Sequence, residues 1–217
     1  MGRHYLTRYR FATSALSDLG IADTWGWHCF VCDEFNTTSK DPGQWEKGLL
    51  WAQGEKYGQL QISVLSDRPP LMNAAAFDGI AINMSSHSDG FYEQDSYLFT
   101  TTVTPFDPKP KGGPDERQWK LLCRFSRRTD IEKWFQAQAD SNGFSFNLKR
   151  NQIRQIKNEF KDDLGDSFTL YKAVISGKCS VKDHRLFKQA MLSGIGAGKA
   201  FGCGLMDLIP TYGYWFG

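Results

Sequence analysis

The sequence predicts an α+β protein built from two tandem ferredoxin-like (RRM-like) domains, each running β-α-β-β-α-β. Three observations carry that reading. Short runs of alternating, β-branched or aromatic residues recur along the 217 residues. Amphipathic stretches at helical spacing sit between them. A segment rich in proline and glycine, PFDPKPKGGPDE, divides the chain near its middle.

The elements follow in order. Residues 5–11 form a strand, with Tyr5, Tyr9 and Phe11 in near alternation. A loop through Asp18 and Gly20 leads to a helix over 24–35, where Trp27, Phe30, Val31 and Phe35 recur at helical spacing and Gly26 weakens the first turn. Strands follow over 48–53 and 59–66. In the second, Leu60, Ile62, Val64 and Ser66 share one face and Gln59, Gln61, Ser63 and Leu65 the other. The stretch 73–96 reads as irregular, with a short helix near 74–77. Residues 97–103, YLFTTTV, form a strand of β-branched and aromatic residues. The proline-rich segment then sets the expected boundaries: a first domain over 1–105, a linker over 106–116 and a second domain over 117–217.

The second half repeats the plan. A strand is expected over 118–125. Thr129 caps a helix over 130–140, with Ile131, Trp134, Phe135 and Gln138 as its inner stripe. Strands at 144–148 and 168–176 flank a charged stretch. Asp183 caps a helix over 184–192, and a strand over 201–209 closes the domain.

Composition narrows the function classes. With 41% hydrophobic and 23% charged residues the chain reads as a soluble globular protein. It holds no apolar run near the ~20 residues of a membrane span, and MGRHYLTRYR has no apolar signal region. Both point to the cytoplasm and away from a membrane. The 5 cysteines are odd in number and scattered, so reduced thiols are expected. Cys29 and Cys32 form one CxxC with no second pair, short of the four ligands of a zinc site, so no metal and no cofactor is expected. Asp162, Asp163 and Asp166 read as turn residues. A net charge of +2 leaves room for a local basic patch.

The most specific segment is SGIGAGKAFGCGL, residues 193–205, with Gly194, Gly196, Gly198, Gly202 and Gly204 around Lys199. Exposed amides beside a lysine suit a phosphate backbone. The loop follows a helix and precedes a strand, the reverse of a dinucleotide fingerprint. A Walker A motif would need glycine at 193 and Ser or Thr at 200, where Ser193 and Ala200 stand. A second basic feature is KRNQIRQIKNEFK. Its Lys149, Arg150, Arg154, Lys157 and Lys161 cluster whether the run is a helix or a hairpin arm, and Arg124, Arg127 and Arg128 add to it.

GIGAGKAFGCGLMDLIP after an amphipathic helix resembles the signature loop of the CasE (Cse) family of CRISPR proteins, within the RAMP superfamily. GLLW at 48–51, LQISVLSDRPP at 60–70, YLFTTTVTP at 97–105 and DIEKWFQAQADSNGFSF at 130–146 are similar to that family in order and spacing, the third in the place of its first domain's fourth strand. The resemblance implies binding of a CRISPR repeat RNA hairpin. It also implies cleavage at the base of the stem without a metal, leaving a 5′-hydroxyl and a cyclic phosphate. The product would stay within a type I-E or type IV effector complex beside its other subunits.

Such cleavage needs a group to take the 2′-hydroxyl proton and another to protonate the leaving oxygen, and histidine suits either task. Of the 4 histidines, His4 opens a strand, His87 lies in a polar loop and His184 begins a helix. His28, in ADTWGWHCF, reads by itself as structural. The resemblance makes it catalytic, with Trp25 at i−3 on the same helical face and Lys199 stabilising phosphate charge. It also places the basic run and Gly194, Gly196, Gly198 and Gly202 on the RNA. Two departures stand out. Trp25 occupies a position where the family often has tyrosine, and tryptophan has no hydroxyl. FTTTVTP carries hydroxyls where the family often has arginines. Trp25 keeps an alternative open: a subunit that holds the hairpin and cuts slowly or not at all.

Overall fold

The structure is a computed structural model that describes residues 3–105, 127–148, 152–161 and 167–211. It contains two antiparallel sheets. The first has the order β2-β3-β1-β4, from β1 (His4–Phe11), β2 (Leu49–Lys56), β3 (Gln59–Ser66) and β4 (Ile80–His87). Between β1 and β2 run α1 (Thr13–Leu19) and α2 (Thr24–Phe35). The second sheet has the order β6-β8-β5-β9, from β5 (Ser96–Val103), β6 (Phe144–Asn147), β8 (Ser167–Val181) and β9 (Met206–Pro210). Here α3 (Arg128–Ser141) joins β5 to β6 and α4 (His184–Ser193) joins β8 to β9, while β7 (Ile153–Lys161) pairs with the first half of β8. Both sheets have the ferredoxin-like order, so the α+β expectation holds.

The pairing corrects one expectation. Residues 97–103 form a strand, but β5 pairs with β8 and β9, not with the first sheet. It is the first strand of the second domain, so the proline-rich segment lies within that domain and not between the two. Strand propensity marks a strand without saying which sheet will hydrogen-bond it. Two further elements differ. The loop expected at Asp18 contains α1, closed by Gly20 at φ 62°. The irregular stretch contains β4, and its short 3-10 turn is Asn73–Ala76. β4 is an edge strand with an outward face, so it tolerates Asn83, Ser85 and Ser86 and loses the apolar alternation that would reveal it. The linker at 106–116 and the strand expected at 118–125 lie outside the described residues, as does the aromatic tail at 212–217.

Each domain has its own core. In the first, Tyr9, Phe11, Trp51, Ile62 and Val64 of the sheet meet Trp27, Val31 and Phe35 of α2. In the second, Tyr97, Phe99, Phe144 and Ile175 meet Ile131 and Phe135 of α3 and Phe187 and Met191 of α4. Leu6, Leu50 and Leu65 of the first sheet pack on Leu205, and Arg8 pairs with Asp207 at 2.8 Å, so the domains are in direct contact. This is why both Val64 and Leu65 of β3 are buried. Among the described residues no helix is long and apolar enough to cross a membrane.

Candidate active site

The site is assembled where α2 meets the glycine-rich loop. Helix α2 starts because Asp23 accepts from the Gly26 amide at 2.9 Å, and it ends at Asn36 in the left-handed region. Gly26 lets the first turn pack closely on Ile21, whose Cγ2 would lie 2.9 Å from an added Cβ. Glu34, almost fully buried, accepts from the Tyr9 hydroxyl at 2.9 Å and the Ala74 amide at 2.7 Å, which fixes the helix on the sheet.

His28 projects from this helix and is fully buried. Trp25 stacks on it with ring centroids 4.9 Å apart, and Trp45 and Phe201 close the other sides at 5.2 and 6.3 Å. Its Nδ1 lies 2.9 Å from the Ala200 carbonyl and its Nε2 2.7 Å from the Lys40 carbonyl. A neutral imidazole has one N–H and donates to one of these oxygens; the cation donates to both. Cys32 lies on the same face, with Sγ 3.6 Å from Nε2.

The loop that supplies Ala200 is held by its glycines. Gly194, Gly196, Gly198 and Gly202 have φ between 75° and 77°. A Cβ on Gly202 would lie 2.9 Å from the Trp51 ring, and one on Gly196 2.9 Å from Trp134. The loop is therefore wedged between β2 of one domain and α3 of the other. The Gly194 amide donates to Ala190 O and the Gly202 amide to Lys199 O. These two amides are engaged within the fold, which corrects the expectation that they face a phosphate. The Trp51 indole N–H donates to Ala200 O at 3.2 Å, so the carbonyl that meets His28 is itself fixed.

The fold recurs in known proteins. A family model described as CRISPR associated protein matches residues 4–210. The chain belongs to that family. Among solved structures, Cse3 of Thermus thermophilus bound to an RNA representing a pre-cleavage complex superposes with a TM-score of 0.70 at 14% identity, covering 96% of this chain and 100% of that one. Cas6e of Escherichia coli K-12 gives 0.60 at 16% identity over 95% and 100%. A chain of a CRISPR RNA-guided surveillance complex gives 0.60 at 17% identity over 95% and 100%. At these identities the likeness establishes a shared fold. No curated protein matches the chain in sequence.

In this CRISPR associated protein the other expected site residues are dispersed. Lys199 does not bond the His28 ring: its amine braces the loop on Gly196 O at 2.7 Å, and burial pushes its pKa down. It lines a largely apolar cavity of about 960 Å³ with Trp45, Leu50, Leu192 and Phe201, which His28 does not line. Because β7 is a strand, Arg154 and Lys157 alternate to opposite faces and do not form one stripe. Both are exposed, as is Arg127 beside the start of α3. Arg124, Lys149 and Arg150 lie outside the described residues; Lys161 ends β7 without a described side chain. Among the described residues no group of three or more His, Cys, Asp or Glu is arranged to hold a metal ion.

Lys172 of β8 escaped the sequence reading. It is only 7% exposed, and its amine donates to Phe201 O at 2.7 Å, one residue beyond the carbonyl that meets His28. Desolvation lowers its pKa. The available signal was a lysine in the middle of the strand pattern FTLYKAVIS, since lysine is rarely buried.

Proposed function

We propose that this protein binds the hairpin of a CRISPR repeat RNA and cuts it at the base of the stem without a metal ion, and that it remains with the product in an effector complex. The observation that carries the reading is the fixing of His28 by the glycine-rich loop. When the imidazole donates Nδ1–H to Ala200 O and the Lys40 carbonyl has moved off Nε2, the ring presents Nε2 as the nitrogen that exchanges a proton. The ribose 2′-hydroxyl attacks the adjacent phosphorus, the P–O5′ bond breaks, and His28 carries one of the two protons that move. Trp25 keeps the ring plane in place by stacking. Lys199 adds a positive charge to the loop that supplies Ala200, of use where a phosphate gains negative charge in the transition state.

The enclosure of Nε2 sets a condition. The Lys40 carbonyl and Trp45 belong to the segment between α2 and β2, so this segment must swing aside before a phosphate can reach the ring. RNA docking supplies the energy for that opening, because the opened form alone binds the scissile linkage. Relatives of the same fold support the wider reading: one is bound to an RNA representing a pre-cleavage complex, and another belongs to an RNA-guided surveillance complex.

A second reading has its own support. A fully buried His28 and a tryptophan without a hydroxyl both suit a subunit that holds the hairpin and does not cut it. The test is to incubate the protein with its cognate repeat RNA in EDTA beside His28→Ala, and to analyse the product ends by mass spectrometry. The expected result is a cyclic phosphate and a 5′-hydroxyl from the wild type only, with binding retained in both. Binding without products in the wild type would establish the second reading. Products from the alanine variant would remove His28 from the chemistry.

A further inference from the structure

The hairpin that joins β2 to β3 ends in a two-residue turn with an unusual occupant. Lys56 pairs with Gln59, and between them Tyr57 has φ 55° and Gly58 φ 73°. Two positive φ values define a type I′ turn, whose first position favours asparagine, aspartate or glycine. A tyrosine there carries backbone strain that asparagine would relieve. The residue is 82% exposed, with the Lys56 ammonium 5.1 Å from the ring centre. Strain at an exposed aromatic that packs on no core calls for a role outside the fold.

Next to that turn lies a cavity of about 330 Å³, lined by Gly58, Gln53 and Glu55 of the hairpin, Thr102 of β5, Arg154 of β7 and Lys172 of β8. Lys172, almost fully buried, lines this cavity, and among the described residues it forms no ion pair. One of its three N–H groups goes to Phe201 O, which leaves two donors for another acceptor. Arg154 reaches the same cavity, also without an ion pair among the described residues, and Glu55 is the acid present. The cavity therefore holds two cations against one carboxylate. A buried ammonium without a counter-charge is stabilised by an anion that enters beside it.

We propose that this hairpin tip and cavity form a subsite for single-stranded RNA adjoining the hairpin, in which Tyr57 stacks on a base and Lys172 with Arg154 holds a backbone phosphate. The proposal rests on the RNA-binding reading above and extends it to an unpaired segment. An exposed aromatic beside cationic donors is the pairing that single-stranded nucleic acid uses, because every base has a π-face and every linkage a charge. The position fits: Lys172 bonds the residue next to Ala200, so the strand would pass the carbonyl that fixes His28.

The test compares the repeat hairpin with and without a short oligouridine extension, by fluorescence anisotropy, in a His28→Ala background that prevents turnover. Tyr57→Asn and Lys172→Met are added separately. The extension should tighten binding about fivefold or more, and each variant should reduce that gain to about twofold or less with bare-hairpin affinity unchanged. Tyr57→Asn should also raise Tm by about 2–4 °C as the strained turn relaxes, so loss of the gain is not loss of structure. A gain that persists in both variants overturns the proposal. So does inorganic phosphate that stabilises the wild type but not Lys172→Met while the extension gain is unchanged, since the cavity would then be a free-anion site. If the bare hairpin fails to bind, the functional reading fails; labelled oligouridine with the same variants still decides the subsite.

Discussion

Replacing Gly202 with alanine tests whether the glycine-rich loop is shaped by packing. Two costs are readable from the structure. Gly202 has φ 75°, and placing an L-residue there costs about 1 kcal/mol. The new Cβ would also lie 2.9 to 3.1 Å from three carbons of the Trp51 ring. Trp51 cannot step aside easily, because it is fully buried and its indole N–H is bonded to Ala200 O. Forcing a methyl into such packing costs about 1–3 kcal/mol more, so Gly202→Ala should lose roughly 2–4 kcal/mol in all. Gly20→Ala is the matched control. It has φ 62° and nothing within 4 Å of the new Cβ, so it should lose only the backbone part, about 1 kcal/mol. Urea unfolding followed by tryptophan fluorescence measures both. A Gly202→Ala loss no larger than that of Gly20→Ala would refute the wedge between the loop and Trp51, and with it the argument that Ala200 is held rigidly for His28.

Other outcomes follow from the same contacts. Asp23→Ala removes the cap that starts α2 and should cost about 1 kcal/mol in urea unfolding, with a matching loss of regularity around His28 by hydrogen exchange. Arg68 donates twice to Phe35 O and grips Glu46 at 2.8 and 2.9 Å, tying the segment over His28 to the end of α2. Arg68→Met should cost about 1–2 kcal/mol, reduced by the partial exposure of the pair, and should speed amide exchange between Asn36 and Lys47. For Lys172, burial holds the folded-state pKa below the ordinary 10.5. Below that depressed value the native state bears the full desolvation penalty, and the penalty disappears as pH rises through it towards the unfolded value. Wild-type stability should therefore gain on Lys172→Met as pH climbs towards 10.5, measured as the difference in Tm; a constant difference would show that the amine is not penalised.

The sequence made some of this legible and hid the rest for identifiable reasons. Helix α2 was readable because Trp27, Val31 and Phe35 all face one core and Asp23 stands before the first turn. The stacking of Trp25 on His28 followed from their i, i+3 spacing. The membership of β5 was not readable, since β-branched residues in YLFTTTV suit either sheet and only the pairing with β8 and β9 decides. β4 was hidden by its polar outer face. The closure of His28 by Lys40 depends on a loop carbonyl, a group every residue carries and no pattern marks. The glycines of the loop stood out in the sequence, but their purpose was misread in part: Gly194 and Gly202 engage their amides in the fold, and Gly202 admits Trp51. Lys172 was visible as a letter and overlooked because the strand around it reads as apolar.

The central claim is that an imidazole caged between two backbone carbonyls becomes the proton carrier once RNA opens the cage. The direct measurement is the single-turnover cleavage rate with RNA saturating and chelator present, for the wild type and for His28→Ala. The account predicts a rate at least about 10²-fold lower in the variant at equal occupancy. Equal rates in the two proteins would contradict it.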